Sequence, residues 1–202
     1  MPENKINPMF QNRVFDYLSR SNPASILFIH LILILSMLIF GVKEFQIDFL
    51  SGVSVFVLGV ISWTLAEYLI HRFLFHWTGK NSKLRIVHYA LHGHHHQNPT
   101  DKNHLFMPPV PVVLIVFLLF FLFYSMMEKF TYFFFPGFEM GYLIYSMIHY
   151  SLHIKPYSRG LMKKLWIHHG RHHYENSSLG YGVSNTFWDH IFRTTHKEKE
   201  NS

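Results

Sequence analysis

Four stretches of this chain are apolar on every side. The runs LFIHLILILSMLIF and VLIVFLLFFLFY have no polar face to turn towards water. The blocks cover about residues 25–42, 49–70, 110–127 and 130–153, each long enough as a helix to span a hydrocarbon core of about 30 Å. Backbone in lipid must satisfy its own hydrogen bonds, so the four blocks are expected to be transmembrane helices. A soluble bundle would need polar surface between its apolar faces, and these blocks offer none. Pro136-Gly137 and Glu139 interrupt the fourth block, so its helix is expected to start late or kink there. The first block lies too far in, and lacks a following small-residue cleavage pattern, to read as a signal peptide. Residues 1–24 form a short leading segment, and residues 25–202 read as one membrane-embedded domain.

Four spans put the leading segment, the 71–109 loop and the tail on one side. These segments carry 3, 5 and 8 Lys/Arg residues, against one in each opposite turn. The positive-inside rule makes that side cytoplasmic, both termini included. It also accounts for the net charge of +6 without nucleic acid, and no pattern for nucleic-acid binding is visible. The chain carries no organelle-retrieval tail, which leans towards a bacterial cytoplasmic membrane.

The chain has 17 His and no Cys, so any metal would be held by nitrogen and oxygen. Ten of the histidines fall in four groups, all on the expected cytoplasmic side. His71 and His76 follow the second span. His92, His95 and His96 stand in the loop. His149 and His153 end the fourth span, and His169, His172 and His173 lie in the tail. Spacings of i, i+3 and i+4 share a helix face, so each HxxHH group can aim imidazoles at one centre. His71 and His76 are five apart and converge only if the helix frays or wraps around the site. One first-row ion takes about four to six donors, so ten imidazoles imply two ions. Spacing alone leaves Zn, Cu, Fe and Ni open. His30 reads as structural, and His190 and His196 as surface residues. His88, His94 and His168 sit beside the clusters but break the spacing.

The segments EYLIHRFLFH, HGHHHQNPTDKNHLFMPP, GYLIYSMIHYSLH and HHGRHHYENSSLGYGVSNTFWDHIFRT resemble the fatty acid 2-hydroxylase branch of the fatty acid hydroxylase/sterol desaturase superfamily. The resemblance covers about Trp63 to Thr194. It implies an all-α integral membrane fold, four transmembrane helices with a cytosolic helical cap that holds a histidine-rich dimetal site. The implied function is an O2-dependent di-iron hydroxylase acting at C2 of a long lipid acyl chain, free or sphingolipid-linked. Its ligands would be the ten histidines already named. The alternative is a related oxidation of a carotenoid or sterol-type lipid. His104 stands where the family pattern usually has Arg, and Ser146 where an Asp commonly follows the GYxxY tyrosine. The cytochrome b5 domain of some members has no counterpart, which implies a separate electron donor of cytochrome b5 or ferredoxin type.

Attack on an unactivated C–H bond needs a redox metal, O2 and two electrons. Zn2+ has no redox chemistry, so hydroxylation implies two iron ions even where zinc occupies a purified sample. Glu67 lies four residues before His71 on the same face. It is expected either to bond that imidazole, fixing its tautomer, or to snorkel at the interface. Asp101 and Asp189 are further candidates behind the ligands, Asp189 alternatively as a turn cap. Tyr142 and Tyr145 would bond the substrate head group, by the resemblance, or else belong to the interfacial aromatic belt. A metal transporter would want polar groups along a path through the spans, and a zinc hydrolase a motif such as HExxH, which is absent.

Overall fold

The computed structural model describes residues 9–77 and 81–197. The leading segment therefore lies partly outside the described residues. Every regular element among them is helical: α1 (Arg13–Leu18), α2 (Pro23–Glu44), α3 (Phe49–Leu69), α4 (Ser82–His88), α5 (His94–Gln97), α6 (Pro109–Met127), α7 (Thr131–Ile154), α8 (Gly160–Tyr174) and α9 (Phe187–Ile191). Two π-helical turns interrupt this order, Ile70–Phe75 directly after α3 and Tyr89–Gly93 between α4 and α5.

Local chemistry sets the starts of the long helices. Asn22 caps α2 by accepting from the Ser25 N–H at 2.8 Å, with Pro23 at the first helical position. Asp48 caps α3 through the Ser51 N–H at 3.0 Å. The helix ends lie within two residues of the expected spans. The fourth block departs from expectation, because α7 begins at Thr131 and runs on through Pro136. Proline so near the start removes only one intrahelical bond, to a carbonyl in the first turn. Nor does Glu139 interrupt the helix: its carboxylate lies 2.7 Å from His30 Nδ1, and both side chains are buried.

Helix α7 is the centre of the bundle. Helix α2 runs antiparallel to it, with Ile26 beside Leu143, His30 beside Glu139 and Gly41 against Phe133. Helix α3 runs parallel to it, with Gly52 against Phe133, Gly59 against Phe134, and Trp63 against Gly141. The α3–α7 contact is backbone to backbone. A Cβ added at Gly59 would lie 2.1 Å from the Phe134 carbonyl oxygen, and one at Gly137 would lie 2.0 Å from that of Phe56. Such small-residue contacts are how helices pack where lipid competes for apolar surface.

Three segments are long and apolar enough to cross a membrane: Pro23–Glu44, Phe49–Phe75 and Pro111–Ile154. The third is folded back on itself at Glu128–Phe130, where Glu128 has φ of 47°, so that Phe123 packs on Phe134 and Phe138. Large apolar side chains such as Leu35, Ile39, Leu58, Phe117 and Phe121 stay exposed along these helices. Contiguous exposure of this kind suits lipid and not water, and the chain is an integral membrane protein. Since α3 and α7 run in parallel, their carboxyl ends reach the same end of the bundle, and both ends carry histidines.

Candidate metal centre

The ten candidate ligands meet as two separate clusters. One contains His71, His76, His92, His96 and His172, the other His95, His149, His153, His169 and His173; within each, the donor atoms lie within 4.8 Å of one another. The first cluster is a closed ring of Nε2 atoms. Going round it, the spacings are 3.0 Å from His71 to His92, 2.9 Å to His96, 3.2 Å to His172, 3.0 Å to His76 and 3.2 Å back to His71. The second ring runs from His95 to His149, His153, His169 and His173 at 3.1, 3.1, 2.8 and 3.1 Å, and closes at 3.1 Å.

These distances fit metal coordination. Two imidazole nitrogens at right angles on an ion, each about 2.1 Å from it, are about 3.0 Å apart. Without a cation, facing lone pairs at that separation repel. Two of the tautomers follow from the backs of the rings. A carbonyl only accepts, so His71 Nδ1–H donates to the Tyr181 oxygen at 2.5 Å, and His172 Nδ1–H to that of Leu179 at 2.7 Å. Their Nε2 atoms are left as lone-pair donors.

Electrostatics agrees. Burial, as the largest cause, pushes His92, His95 and His169 well below the usual histidine range, with neighbouring imidazoles adding to it. Burial likewise takes His76 to about 3, and His96 and His172 to about 4, and lowers His173. These seven imidazoles are therefore neutral at pH 7, as ligation requires.

The sharing between centres differs from the expectation that each HxxHH serves one. His92 and His96 face the first centre and His95 the second, whereas His169 and His173 face the second and His172 the first. Residues four apart stay together, and the one between them turns to the other centre. The two rings thus lie side by side along the motif helices. His71 and His76 do converge, and the π-helical turn is the reason. Its i→i+5 bonding, seen in the 3.2 Å contact of His76 N with His71 O, brings residues five apart onto one face.

The carboxylates behind the ligands are placed differently from expectation. Glu67 does not bond His71. Its Oε1 accepts from the Val183 and Ser184 N–H groups at 2.7 and 2.8 Å, and its Oε2 from the Ser184 hydroxyl. Its target lies more than a hundred residues away, so helical spacing pointed to the wrong neighbour. Asp189 accepts from the Tyr181 N–H at 2.9 Å, the Gly182 N–H at 2.7 Å, the Thr194 hydroxyl at 2.7 Å and His168 at 3.2 Å. Burial opposes its charge, but these bonds, that from His168 foremost, hold its carboxyl below the usual range. Both carboxylates thus fix the loop 179–184, whose carbonyls hold His71 and His172.

Asp101 reaches no member of either ring. It bonds His104 Nδ1 at 2.7 Å and His94 Nε2 at 3.2 Å, and His104 Nε2 lies 3.1 Å from the Ser19 hydroxyl. This buried group can be counted as a third set of metal donors, but its hydrogen bonds already account for it as a strut between the leading segment and the loop. His168 is a partner of Asp189 and not a ring member. Tyr145 stacks on His149 with centroids 5.6 Å apart, and Tyr142 and Tyr145 both pack against Trp63.

Sequence reasoning missed Leu179 and Tyr181, which act through backbone carbonyls, and Ser184 and Thr194. The available signal was the glycine-spaced LGYGVSN that starts six residues after His173. Gly180 has φ of 74°, and a Cβ on Gly182 would lie 2.0 Å from the Asn185 carbonyl oxygen; both suit a loop bent tightly around a carboxylate.

Fold and site together define a helical integral membrane protein with paired polyhistidine centres at one end of its bundle. A family model described as fatty acid hydroxylase matches residues 56–194. The chain belongs to the fatty acid hydroxylase family. It is 39% identical to the fatty acid 2-hydroxylase of Rattus norvegicus over 146 residues, covering 70% of this chain and 39% of that one. Against the ceramide very long chain fatty acid hydroxylase SCS7 of Saccharomyces cerevisiae it is 37% identical over 161 residues, 76% of this chain and 41% of the other. A solved structure described as full-length Scs7p, with only the hydroxylase domain visible, superposes with a TM-score of 0.86 at 32% identity, over 93% of this chain and 71% of that one. The chain thus spans about two fifths of the length of these rat and yeast relatives. Both are eukaryotic, which gives the bacterial leaning no support.

Proposed function

We propose that this chain is a membrane hydroxylase that installs a hydroxyl at C2 of a long lipid acyl chain, free or sphingolipid-linked. The carrying observation is the pair of closed five-nitrogen rings at the end of an apolar bundle. The names of the rat and yeast relatives support acyl hydroxylation over attack on a carotenoid or sterol ring. The reaction places one atom of O2 in the lipid and the other in water, and consumes two electrons and two protons. A separate donor of cytochrome b5 or ferredoxin type supplies the electrons.

Two iron ions, when bound, supply the redox chemistry that zinc lacks. His71, His76, His92, His96 and His172 would hold one, and His95, His149, His153, His169 and His173 the other. The rest is the work of the chain. The Tyr181 and Leu179 carbonyls hold two imidazoles in the donor tautomer. Burial of His92 and His172 keeps bulk water from the first ring. Four passes of α2, α3, α6 and α7 give an acyl tail an apolar surround, with α1, α4, α5, α8 and α9 forming a cytosolic cap. Tyr145, stacked on His149, and Tyr142 would contact the lipid near its head.

The test is lipid analysis of a host expressing the chain. Lipids with a 2-hydroxy acyl chain are expected, and none from His95→Ala; metal analysis is expected to find about two ions per chain. A hydroxylated ring product, or full turnover by His172→Ala, would overturn the assignment.

A further inference from the structure

The two rings differ in what stands behind them. In the first, His71 and His172 each donate an Nδ1–H to a carbonyl of the loop 179–184, and Glu67 and Asp189 bind that loop through four backbone N–H groups and the Ser184 hydroxyl, Asp189 also accepting from the Thr194 hydroxyl. In the second ring, the Nδ1 atoms of His95, His169 and His173 are buried and have no hydrogen-bond partner among the described residues. The second ring also meets a cleft of about 350 Å3, bordered by His153, His169 and His173 together with Trp166, Ile167 and Tyr174.

An imidazole whose far N–H is held by an acceptor is more basic and fixed in orientation, and losing such a partner costs about 10–100-fold in metal affinity. A buried N–H without an acceptor gives its ring neither benefit. The cleft offers a chelator or an incoming ion a route to three donors of the second ring.

We propose that the two centres hold their ions unequally: the ion within His71, His76, His92, His96 and His172 is retained, and the ion within His95, His149, His153, His169 and His173 is exchangeable. The proposal rests on the two-metal reading above and concerns which of the two first-row dications leaves first.

The experiment follows metal content per chain by mass spectrometry while the metal-loaded full chain is dialysed against excess EDTA. Release is expected in two phases of about one ion each, with rates about 10–100-fold apart. Glu67→Gln, and the milder Ser184→Ala, loosen only the loop behind the first ring, so they are expected to speed the slow phase and leave the fast phase unchanged. Release of both ions in a single phase would overturn the proposal and leave the two-metal reading standing. Acceleration of the fast phase by either variant would show that the order of the sites is reversed. A reconstituted chain that never holds two ions would overturn both readings.

Discussion

His71 and Tyr181 are joined at 2.5 Å, imidazole Nδ1 to backbone carbonyl oxygen, although 110 residues separate them in sequence. The carbonyl stays in place because the N–H of the same residue donates to Asp189 at 2.9 Å. Asp189→Asn keeps the volume but loses the charge that draws four donors together. The variant is expected to retain about 10–100-fold less tightly the ion of the first ring, read as metal per chain after brief chelation. Wild-type retention in Asp189→Asn would show that the loop does not depend on this carboxylate.

His30 and Glu139 form a contact of 2.7 Å inside the bundle, each almost wholly buried. Removing one partner strands the other in an apolar surround, at a cost of about 3–5 kcal/mol. His30→Leu or Glu139→Leu is expected to lower Tm in detergent sharply, and the double variant to recover most of the loss. Additive losses in the double variant would rule out the coupling. This pair makes no contact with either ring, so folded double variant should still bind metal.

Gly137 faces the Phe56 carbonyl so closely that any side chain must part α3 from α7. Gly137→Leu is expected to destabilise by about 3 kcal/mol, seen as loss of a folded, monodisperse peak on solubilisation. Because the turn that continues α3 serves the first ring and α7 the second, surviving protein is also expected to bind less metal. An unchanged Tm would mean that the helices are further apart than described.

Acid should loosen the metal-free histidine rings. His96 and His172 are lowered by burial to about 4, whereas the unfolded chain titrates near 6.5. Between those values the unfolded state binds more protons, so stability is full above about pH 7 and declines as pH falls through the window. Chelator-stripped protein is expected to melt at least ~4 °C lower at pH 5.5 than at pH 7.5. A Tm that held or rose on acidification would contradict the buried, neutral state of these imidazoles.

The ends of the long helices could be read from the sequence to within two residues because unbroken apolar runs leave so few alternatives. The ten ring members were legible because residues four apart on a helix must face together, as His149 and His153 do. Their division between two centres was not, since spacing says which residues share a face but not what lies opposite. The turn that aligns His71 with His76 depends on a local change in backbone bonding that side-chain identity does not encode. Glu67 shows the same limit. Its neighbours along α3 suggested an imidazole, whereas its partners, Val183 and Ser184, come from a loop that only the complete fold brings near.

The alternation of ring members along the tail carries a consequence for assembly. A chain ending before Gly160 would keep four donors in one ring, His71, His76, His92 and His96, and three in the other, His95, His149 and His153. Neither cage would close, and no shortened form ending there could retain one intact centre as a simpler ancestor or a half-active fragment. Helix α8 is thus a single latch for both chambers, so the full five-donor set of either exists only once synthesis has passed His172 and His173.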